Sequence, residues 1–199
     1  PYLVEIRTGG ETKEYIRELV RDVRKEFNIR GRRPVPHITL FGPYNTTEGY
    51  AAKDAVQCPC SEYRCVPYRI NGFDTFGDDV VYLDVTPSAE LRALRREIRD
   101  GLLPISYNHP DYDENKWHQY HITIANGFDA SANELLRYLQ SEYTSMQNES
   151  PLSRIEISCG SGTFPLARYY QRNRQRAGKV GNRRYKGWTN YNSQTTMQN

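Results

Sequence analysis

A four-residue pattern of His, an apolar residue, Thr and a second apolar residue occurs twice, and it restricts the fold more than any other feature. The copies, His37–Leu40 and His121–Ile124, begin 84 residues apart. Alternate side chains of a β-strand share a face, so each copy predicts a strand with His and Thr on one face and two apolar side chains in the core. By counting matches to the template, two hits among four histidines have a chance probability of roughly one in two thousand. We therefore expect two strands of the same kind.

Apolar periodicity and turn residues predict a chain in which strands and helices alternate. Gly77–Asp79 is typical of a hairpin turn, and Ser131 with Glu134 forms a capping box at a helix start. The predicted elements are strand Tyr2–Arg7, helix Thr12–Phe27, strand His37–Phe41, helix Thr47–Gln57, strands Tyr68–Phe76 and Val80–Val85, a helix capped by Ser88 and reaching Leu102, strand Tyr120–Ala125, a helix from Ser131 through Leu139, strand Leu152–Ser158 and a weaker strand Thr163–Tyr170. Hairpins mixed with helical crossovers indicate the α+β class with largely antiparallel sheet.

Charge divides the chain into an acidic body and a basic tail. The 199 residues carry a net charge of +3, but no Asp or Glu follows Glu156. Eight cations lie beyond that residue, which leaves 19 cations against 24 anions, a net charge of −5, in the first 156 residues. Basic segments with interleaved aromatic residues attract nucleic acid, and a solvated extension is the alternative. We expect a body over residues 1–166 and a basic C-terminal extension over residues 167–199.

Apolar run lengths and cysteine spacing exclude several classes of protein. No apolar run reaches the length of a membrane span, and no cationic and then apolar leader opens the sequence. Cys58, Cys60 and Cys65 cluster while Cys159 stands apart, and the C-x-C spacing fits structural zinc poorly. We therefore expect a cytoplasmic monomer with free thiols, no metal and no cofactor.

Two imidazoles and two hydroxyls on rigid strands suit proton transfer at a phosphodiester. A histidine titrates close to neutral pH, so one neutral and one protonated ring can serve as base and acid on opposite sides of a reacting centre. The hydroxyls of Thr39 and Thr123 can donate hydrogen bonds to the non-bridging oxygens. We predict that His37, Thr39, His121 and Thr123 catalyse in-line displacement at phosphorus without a metal.

The paired motifs resemble those of the two-histidine phosphoesterases, which include LigT-like 2′-5′ RNA ligases and RNA 2′,3′-cyclic phosphodiesterases. The stretch Arg33–Pro43 is especially similar to bacterial and archaeal LigT-like members. The resemblance covers about residues 2–158. It implies two similar lobes with mainly antiparallel sheets that face each other across a central cleft, with helices outside. It also implies that the two His-x-Thr pairs are the catalytic set.

Residues near the motifs are candidates for substrate binding. By strand alternation Phe41 lies on the same face as His37 and forms an aromatic shelf for a base, unless the strand ends before it. Arg32 and Arg33 either hold flanking phosphates or belong to a solvated loop. Trp117, in a long aromatic loop over residues 104–118, either grips substrate or packs in the core.

The other two histidines, His109 and His118, lack a following Thr. We therefore expect them to be incidental to the chemistry.

The sequence thus predicts a metal-independent phosphodiesterase acting on RNA ends or small nucleotides. The expected reaction opens 2′,3′-cyclic phosphates to 2′-phosphates, and its reverse with a 5′-hydroxyl RNA gives 2′-5′ ligation. Linear 2′-5′ oligoadenylates, cyclic oligonucleotides and ADP-ribose cyclic phosphate are alternative substrates. A non-catalytic RNA-binding module is the alternative of another class, but binding alone does not require two titrating groups.

Overall fold

Two three-stranded antiparallel sheets and five α-helices make up the part of the chain that the computed structural model describes, which is residues 1–31, 33–63, 66–114, 117–128, 131–143 and 168–171. The elements are β1 (Tyr2–Arg7), α1 (Gly10–Glu26), β2 (His37–Tyr44), α2 (Gly49–Glu62), β3 (Tyr68–Phe76), β4 (Val80–Pro87), α3 (Ala89–Leu102), a 3-10 turn (Leu103–Ile105), α4 (Asp111–Glu114), β5 (His121–Asn126), α5 (Ala132–Glu142) and β6 (Arg168–Gln171). The predicted α+β class with antiparallel sheets is confirmed.

The two sheets have the same plan. Their strand orders are β2-β1-β6 and β3-β4-β5, and every described pairing is antiparallel. In each sheet a central strand, β1 or β4, leads through a helix to a strand that carries a His-x-Thr motif, β2 or β5. A third strand, β6 or β3, follows the helix α5 or α2 and pairs with the other side of the central strand. Each motif strand therefore stands beside a central strand of equivalent position.

The crossover helices α1 and α3 join the two halves into one core. Both helices bury a single apolar face, as their spacing predicts. The buried apolar residues are Ile16, Leu19, Val20 and Val23 in α1 and Leu91, Leu94, Ile98 and Leu102 in α3. Helix α1 contacts β5 and α3 contacts β2, so each crossover helix touches the motif strand of the other half. Burial of each Leu or Val contributes about 1.5–3 kcal/mol, which ties both motif strands to a common scaffold.

Helix starts follow the predicted caps in two of three cases. The Ser88 Oγ accepts a hydrogen bond from the Leu91 N–H (3.2 Å), and the Ser131 Oγ accepts one from the Asn133 N–H (3.3 Å). The predicted cap at Thr12 is wrong, because α1 begins at Gly10 after an extended Gly9 and Thr12 is buried inside it.

Strand β2 runs on through Gly42 and Pro43, where the sequence predicted its end. Gly42 has a φ of +97°, and a Cβ at this position would lie 2.9 Å from the Tyr2 carbonyl oxygen. The strand continues because glycine adopts this conformation and because the Gly42 N–H finds its acceptor outside the sheet, in the carboxylate of Asp113. The predicted aromatic loop also contains a short helix, α4.

Only part of the predicted C-terminal structure lies within the described residues. Strand Leu152–Ser158 lies outside the described residues, whereas β6 overlaps the end of the predicted strand Thr163–Tyr170. Strand β6 begins just beyond the predicted domain boundary at residue 166 and pairs with β1. The division into residues 1–166 and 167–199 stays a prediction. None of the helices in the described ranges is long and apolar enough to span a membrane.

Candidate active site

Each motif strand sits in the same register against its central strand. In the first half, His37 faces Arg7 and Thr39 faces Glu5. In the second half, His121 faces Asp84 and Thr123 faces Tyr82. Because cross-strand partners share a face of the sheet, the side chains at these positions form the immediate surroundings of each imidazole.

Both motif strands carry a bulge at the residue after Thr. On β2, Val4 faces Phe41 while the next residue of β1, Glu5, faces Thr39, so Leu40 is the extra residue. On β5 the same register shift makes Ile124 the extra residue. A bulge interrupts the alternation of side chains. Each motif therefore places its His and Thr on the same face of the sheet, and the alternation of side chains shifts directly after the Thr.

The bulge makes the prediction for Phe41 wrong. Leu40 and Phe41 are adjacent, yet both are completely buried, at 0% exposure. The Phe41 ring packs edge-on against Tyr44, with ring centroids 5.2 Å apart, and its centroid lies 5.9 Å from that of His109. The alternation that placed Phe41 beside His37 ends at the extra residue, so Phe41 belongs to the core instead of forming a shelf for a base.

The two catalytic candidates His37 and His121 are held by equivalent hydrogen bonds. The Nδ1 of His37 lies 2.7 Å from the Val35 carbonyl oxygen, and the Nδ1 of His121 lies 2.9 Å from the Gln119 carbonyl oxygen. A carbonyl oxygen only accepts, so Nδ1 carries the proton in both rings. This tautomer leaves Nε2 as the atom that takes up or gives a proton.

Charged side chains surround the ring of His37. The Glu5 Oε2 lies 3.7 Å from the His37 Nε2, close enough for an ion pair when the ring is protonated. Glu5 is only 5% exposed, and its Oε1 accepts a 2.7 Å hydrogen bond from the Arg7 Nε. The first half-site is therefore ionic, with a carboxylate and a guanidinium beside the imidazole.

Aromatic side chains surround the ring of His121. Phe76 and Tyr82 stack at a centroid distance of 4.1 Å, and both rings meet His121 edge-on, at 4.8 Å and 5.3 Å. Burial lowers the pKa of His121; the Gln119 carbonyl opposes this shift and the charge of His37 adds to it. His121 is consequently neutral at pH 7 and able to accept a proton. Strand β2 contacts β5, so the structure brings the two motif strands together.

His118, expected to be incidental, links the two motif strands. Its Nε2 lies 3.0 Å from the Thr39 carbonyl oxygen and, since that oxygen only accepts, the nitrogen donates. Burial lowers the pKa of His118 to about 3, and the positive charge of Arg95 adds to the effect. The partly buried ring therefore stays neutral and holds β2 to the segment that leads into His121.

A buried acid, Asp113, fixes the far end of β2. Its Oδ2 accepts a 2.8 Å hydrogen bond from the Gly42 N–H, and its Oδ1 lies 3.7 Å from a terminal nitrogen of Arg95. Burial raises the pKa of Asp113 to about 7, while the Gly42 N–H and Arg95 oppose the shift. Tyr112 adds a 3.0 Å hydrogen bond from its hydroxyl to the Gly42 carbonyl. No signal in the sequence identifies these contacts, because their partners are 70 residues or more away along the chain.

Of the three remaining predicted binding residues, the structure describes Trp117 and Arg33. Trp117 is 91% exposed, so packing in the core is excluded and its ring is available to a ligand. Arg33 is exposed four residues before His37, and Arg32 lies outside the described residues.

Of the four cysteines, Cys58 is exposed and Cys60 half-buried in α2, and the other two lie outside the described residues. In the described ranges no three His, Cys, Asp or Glu side chains are grouped as metal ligands would be.

Comparison with known proteins agrees with this geometry. The model of one protein family, described as the 2′-5′ RNA ligase superfamily, matches residues 12–156, well over half of the chain. A search of the curated proteins found no match. The matched range includes both motif strands, β2 and β5, and the crossover helices α1 and α3 from Thr12 onwards. The chain therefore belongs to the 2′-5′ RNA ligase superfamily, the two-histidine phosphoesterases.

Proposed function

We propose that this protein is a phosphodiesterase that opens nucleoside or RNA 2′,3′-cyclic phosphates to 2′-phosphates. The observation that carries the proposal is the equivalent anchoring of His37 and His121, whose Nδ1 atoms bind backbone carbonyls and leave both Nε2 atoms for proton transfer. A binding module has no need for two imidazoles in matched tautomers. Membership in the superfamily supports phosphodiester chemistry.

In the proposed mechanism His121 is the base and His37 is the acid. Neutral His121 takes a proton from water while the water oxygen bonds to phosphorus. The bond from phosphorus to the 3′-oxygen breaks, and that oxygen receives the Nε2 proton of His37. The products are a 2′-phosphate and a 3′-hydroxyl. A positioned acid or base accelerates a reaction by about 10²–10⁴.

Thr39 and Thr123 act on the phosphoryl group itself. Each is partly exposed on the same strand as its histidine, directly before the bulge. Their hydroxyls donate to the non-bridging oxygens, whose charge grows in the transition state.

The same site supports 2′-5′ RNA ligation when a 5′-hydroxyl replaces water as the nucleophile. His121 takes the proton of that hydroxyl while its oxygen bonds to the phosphorus of a 2′,3′-cyclic phosphate end, and the bond to the 3′-oxygen breaks as that oxygen receives the Nε2 proton of His37. Trp117 stacks on a base, and Arg32 and Arg33 contact flanking phosphates, in a substrate complex with one copy of the chain. The basic extension adds contacts to longer RNA.

A panel of substrates in ¹⁸O-labelled water tests this function. The full chain is incubated with nucleoside 2′,3′-cyclic monophosphates, RNA ending in a cyclic phosphate, a 2′-5′ dinucleotide and a 3′-5′ dinucleotide, and the products are identified by mass. We expect a 2′-phosphate containing one ¹⁸O atom, and loss of turnover in His37→Ala and His121→Ala. Production of a 3′-phosphate, or turnover that survives both substitutions, would overturn the proposal.

A further inference from the structure

The two half-sites differ at both equivalent positions of their central strands. Opposite the histidines, β1 carries Arg7 and β4 carries Asp84. Opposite Thr39, β1 carries Glu5, and opposite Thr123, β4 carries Tyr82. Cross-strand neighbours share a face, so the first site has a carboxylate where the second has a phenol ring. Strand, bulge and Nδ1 anchor are the same in both halves, so the two histidines differ in their neighbours and not in their backbone setting. The Asp84 carboxylate opposite His121 accepts a hydrogen bond from the Gln119 side chain at 2.6 Å.

The carboxylate of Glu5 is aimed at the reactive nitrogen of His37. Glu5 is 5% exposed, and its two oxygens have separate partners, the Arg7 Nε at 2.7 Å and the His37 Nε2 at 3.7 Å. A buried carboxylate is stable only when it is paired. Arg7 supplies one such partner, and a protonated His37 supplies the other.

Among the described residues, Glu5 is the carboxylate within ion-pair distance of His37. The other charged and titratable groups in contact with β2 or next to it are Arg7 on β1, Arg33 before β2, His121 on β5, His118 at the Thr39 carbonyl and the Arg95–Asp113 pair at Gly42. Helix α3, which also contacts β2, carries Glu90, Arg92, Arg96, Glu97, Arg99 and Asp100, and none of these forms a described ion pair with His37. His121 has two aromatic neighbours, at 4.8 Å and 5.3 Å, and faces Asp84 across the sheet.

We propose that Glu5 is a positioning residue that retains the Nε2 proton of His37 and thereby fixes His37 as the donor to the leaving oxygen. The inference rests on the proposed function for its catalytic consequence, although the pairing of Glu5 with His37 exists without substrate. It gives the site a direction: the attacking oxygen binds on the aromatic side beside His121, and the leaving oxygen binds on the ionic side beside His37 and Arg7. Arg7 moderates the effect by sharing the charge of Glu5.

Titration of the histidine ring resonances by NMR in the free, full-length protein is the test. In Glu5→Gln, which keeps the size of the side chain, the His37 resonances should titrate about one pH unit lower, the usual effect of removing a close opposite charge. In Arg7→Met the charge of Glu5 is no longer shared, so the same resonances should titrate at higher pH. Glu14→Gln, an exposed change in α1, is the matched control and should move neither histidine.

Enzyme kinetics then connect the pairing to catalysis. In Glu5→Gln the alkaline limb of the kcat profile should shift to lower pH by the same amount, with a loss of about tenfold at pH 8 and a smaller change in KM. An unchanged His37 titration in Glu5→Gln, or shifts of the same sign in Glu5→Gln and Arg7→Met, would overturn the inference. If no substrate of the panel turns over, the proposed function fails, while opposite NMR shifts in the two variants still support the pairing.

Discussion

The half-site of β1 and β2 and the half-site of β4 and β5 share a backbone plan but not an environment. Both place His and Thr before a bulge, and both anchor Nδ1 on the carbonyl two residues earlier. The first places Glu5 and Arg7 beside its histidine, and the second places the rings of Phe76 and Tyr82 there, with Asp84 opposite the histidine on the central strand. In the proposed mechanism the two equivalent scaffolds supply an acid and a base, and the different neighbours of the two rings decide their roles.

The largest expected effect comes from removing either imidazole. His37→Ala and His121→Ala should each lower kcat by about 10²–10⁴, since each removes one of the two proton transfers. The double variant should be little worse than either single one, because the remaining group has no partner reaction to assist. Steady-state kinetics on a cyclic mononucleotide measures all three, and additive losses would mean that the two rings act independently.

Two glycines, Gly42 inside β2 and Gly127 directly after β5, allow the stability of the two halves to be compared. Gly42→Ala should destabilise by about 3 kcal/mol, because it combines a positive φ with a Cβ 2.9 Å from the Tyr2 carbonyl oxygen. Gly127→Ala has a φ of +58° and open space around its Cβ, so only the backbone cost of about 1 kcal/mol applies. Urea unfolding measures both, and equal losses would show that the close approach at Gly42 is relieved elsewhere.

His118 should make the protein less stable in acid. Its pKa is about 3 in the fold and about 6.5 when unfolded, so between these values the unfolded chain binds the extra proton and stability falls as pH falls. From pH 7 to pH 5 this contribution is about 2 kcal/mol. His118→Asn should lose this part of the pH dependence. The free energy of unfolding of the wild type and the variant, measured at both pH values, tests this. An equal loss of stability in the two proteins between pH 7 and pH 5 would contradict the lowered pKa of His118.

Removal of the exposed ring of Trp117 should have a smaller effect, which we expect on substrate binding. Trp117 is exposed and packs against no core, so Trp117→Ala should raise KM by about tenfold, the value of one stacked base, and leave the unfolding free energy unchanged. Tyr50→Ala, which removes another exposed ring in α2, is the control and should alter neither. An unchanged KM in Trp117→Ala would remove this residue from the substrate site.

Truncation after Gln171 should have the smallest effect on the chemistry. It keeps β6 paired with β1 and removes seven of the eight cations beyond Glu156. Turnover of a cyclic mononucleotide should not change, whereas binding to long RNA should weaken and depend less steeply on salt. An unchanged salt dependence would show that the extension makes no phosphate contacts.

The sequence predicted those features that depend only on residues close together in the chain. Strand β3, the Ser88 cap and the burial of one face of α3 follow from alternation, capping and the 3.6-residue period. The two His-x-Thr strands were predicted for the same reason.

The surroundings of the histidines could not be predicted in this way. The bulge at Leu40 depends on pairing with β1, so alternation misplaced Phe41. The contacts of His118 with Thr39 and of Asp113 with Gly42 join residues 79 and 71 positions apart. In the sequence nothing distinguishes Glu5 from other polar residues of a strand. The register of β1 against β2 places it beside His37. The sequence therefore predicted the candidate catalytic residues, and the structure was needed to distinguish the surroundings of the two histidines.

The pH dependence of kcat in the single-histidine variants tests the central claim most directly. With a 2′,3′-cyclic mononucleotide, the wild type should give a bell-shaped profile that belongs to the pair. His121→Ala should lose the acidic limb, because the base is gone, and His37→Ala should lose the alkaline limb, because the acid is gone. Persistence of both limbs in both variants would contradict the account and assign the proton transfers to other groups.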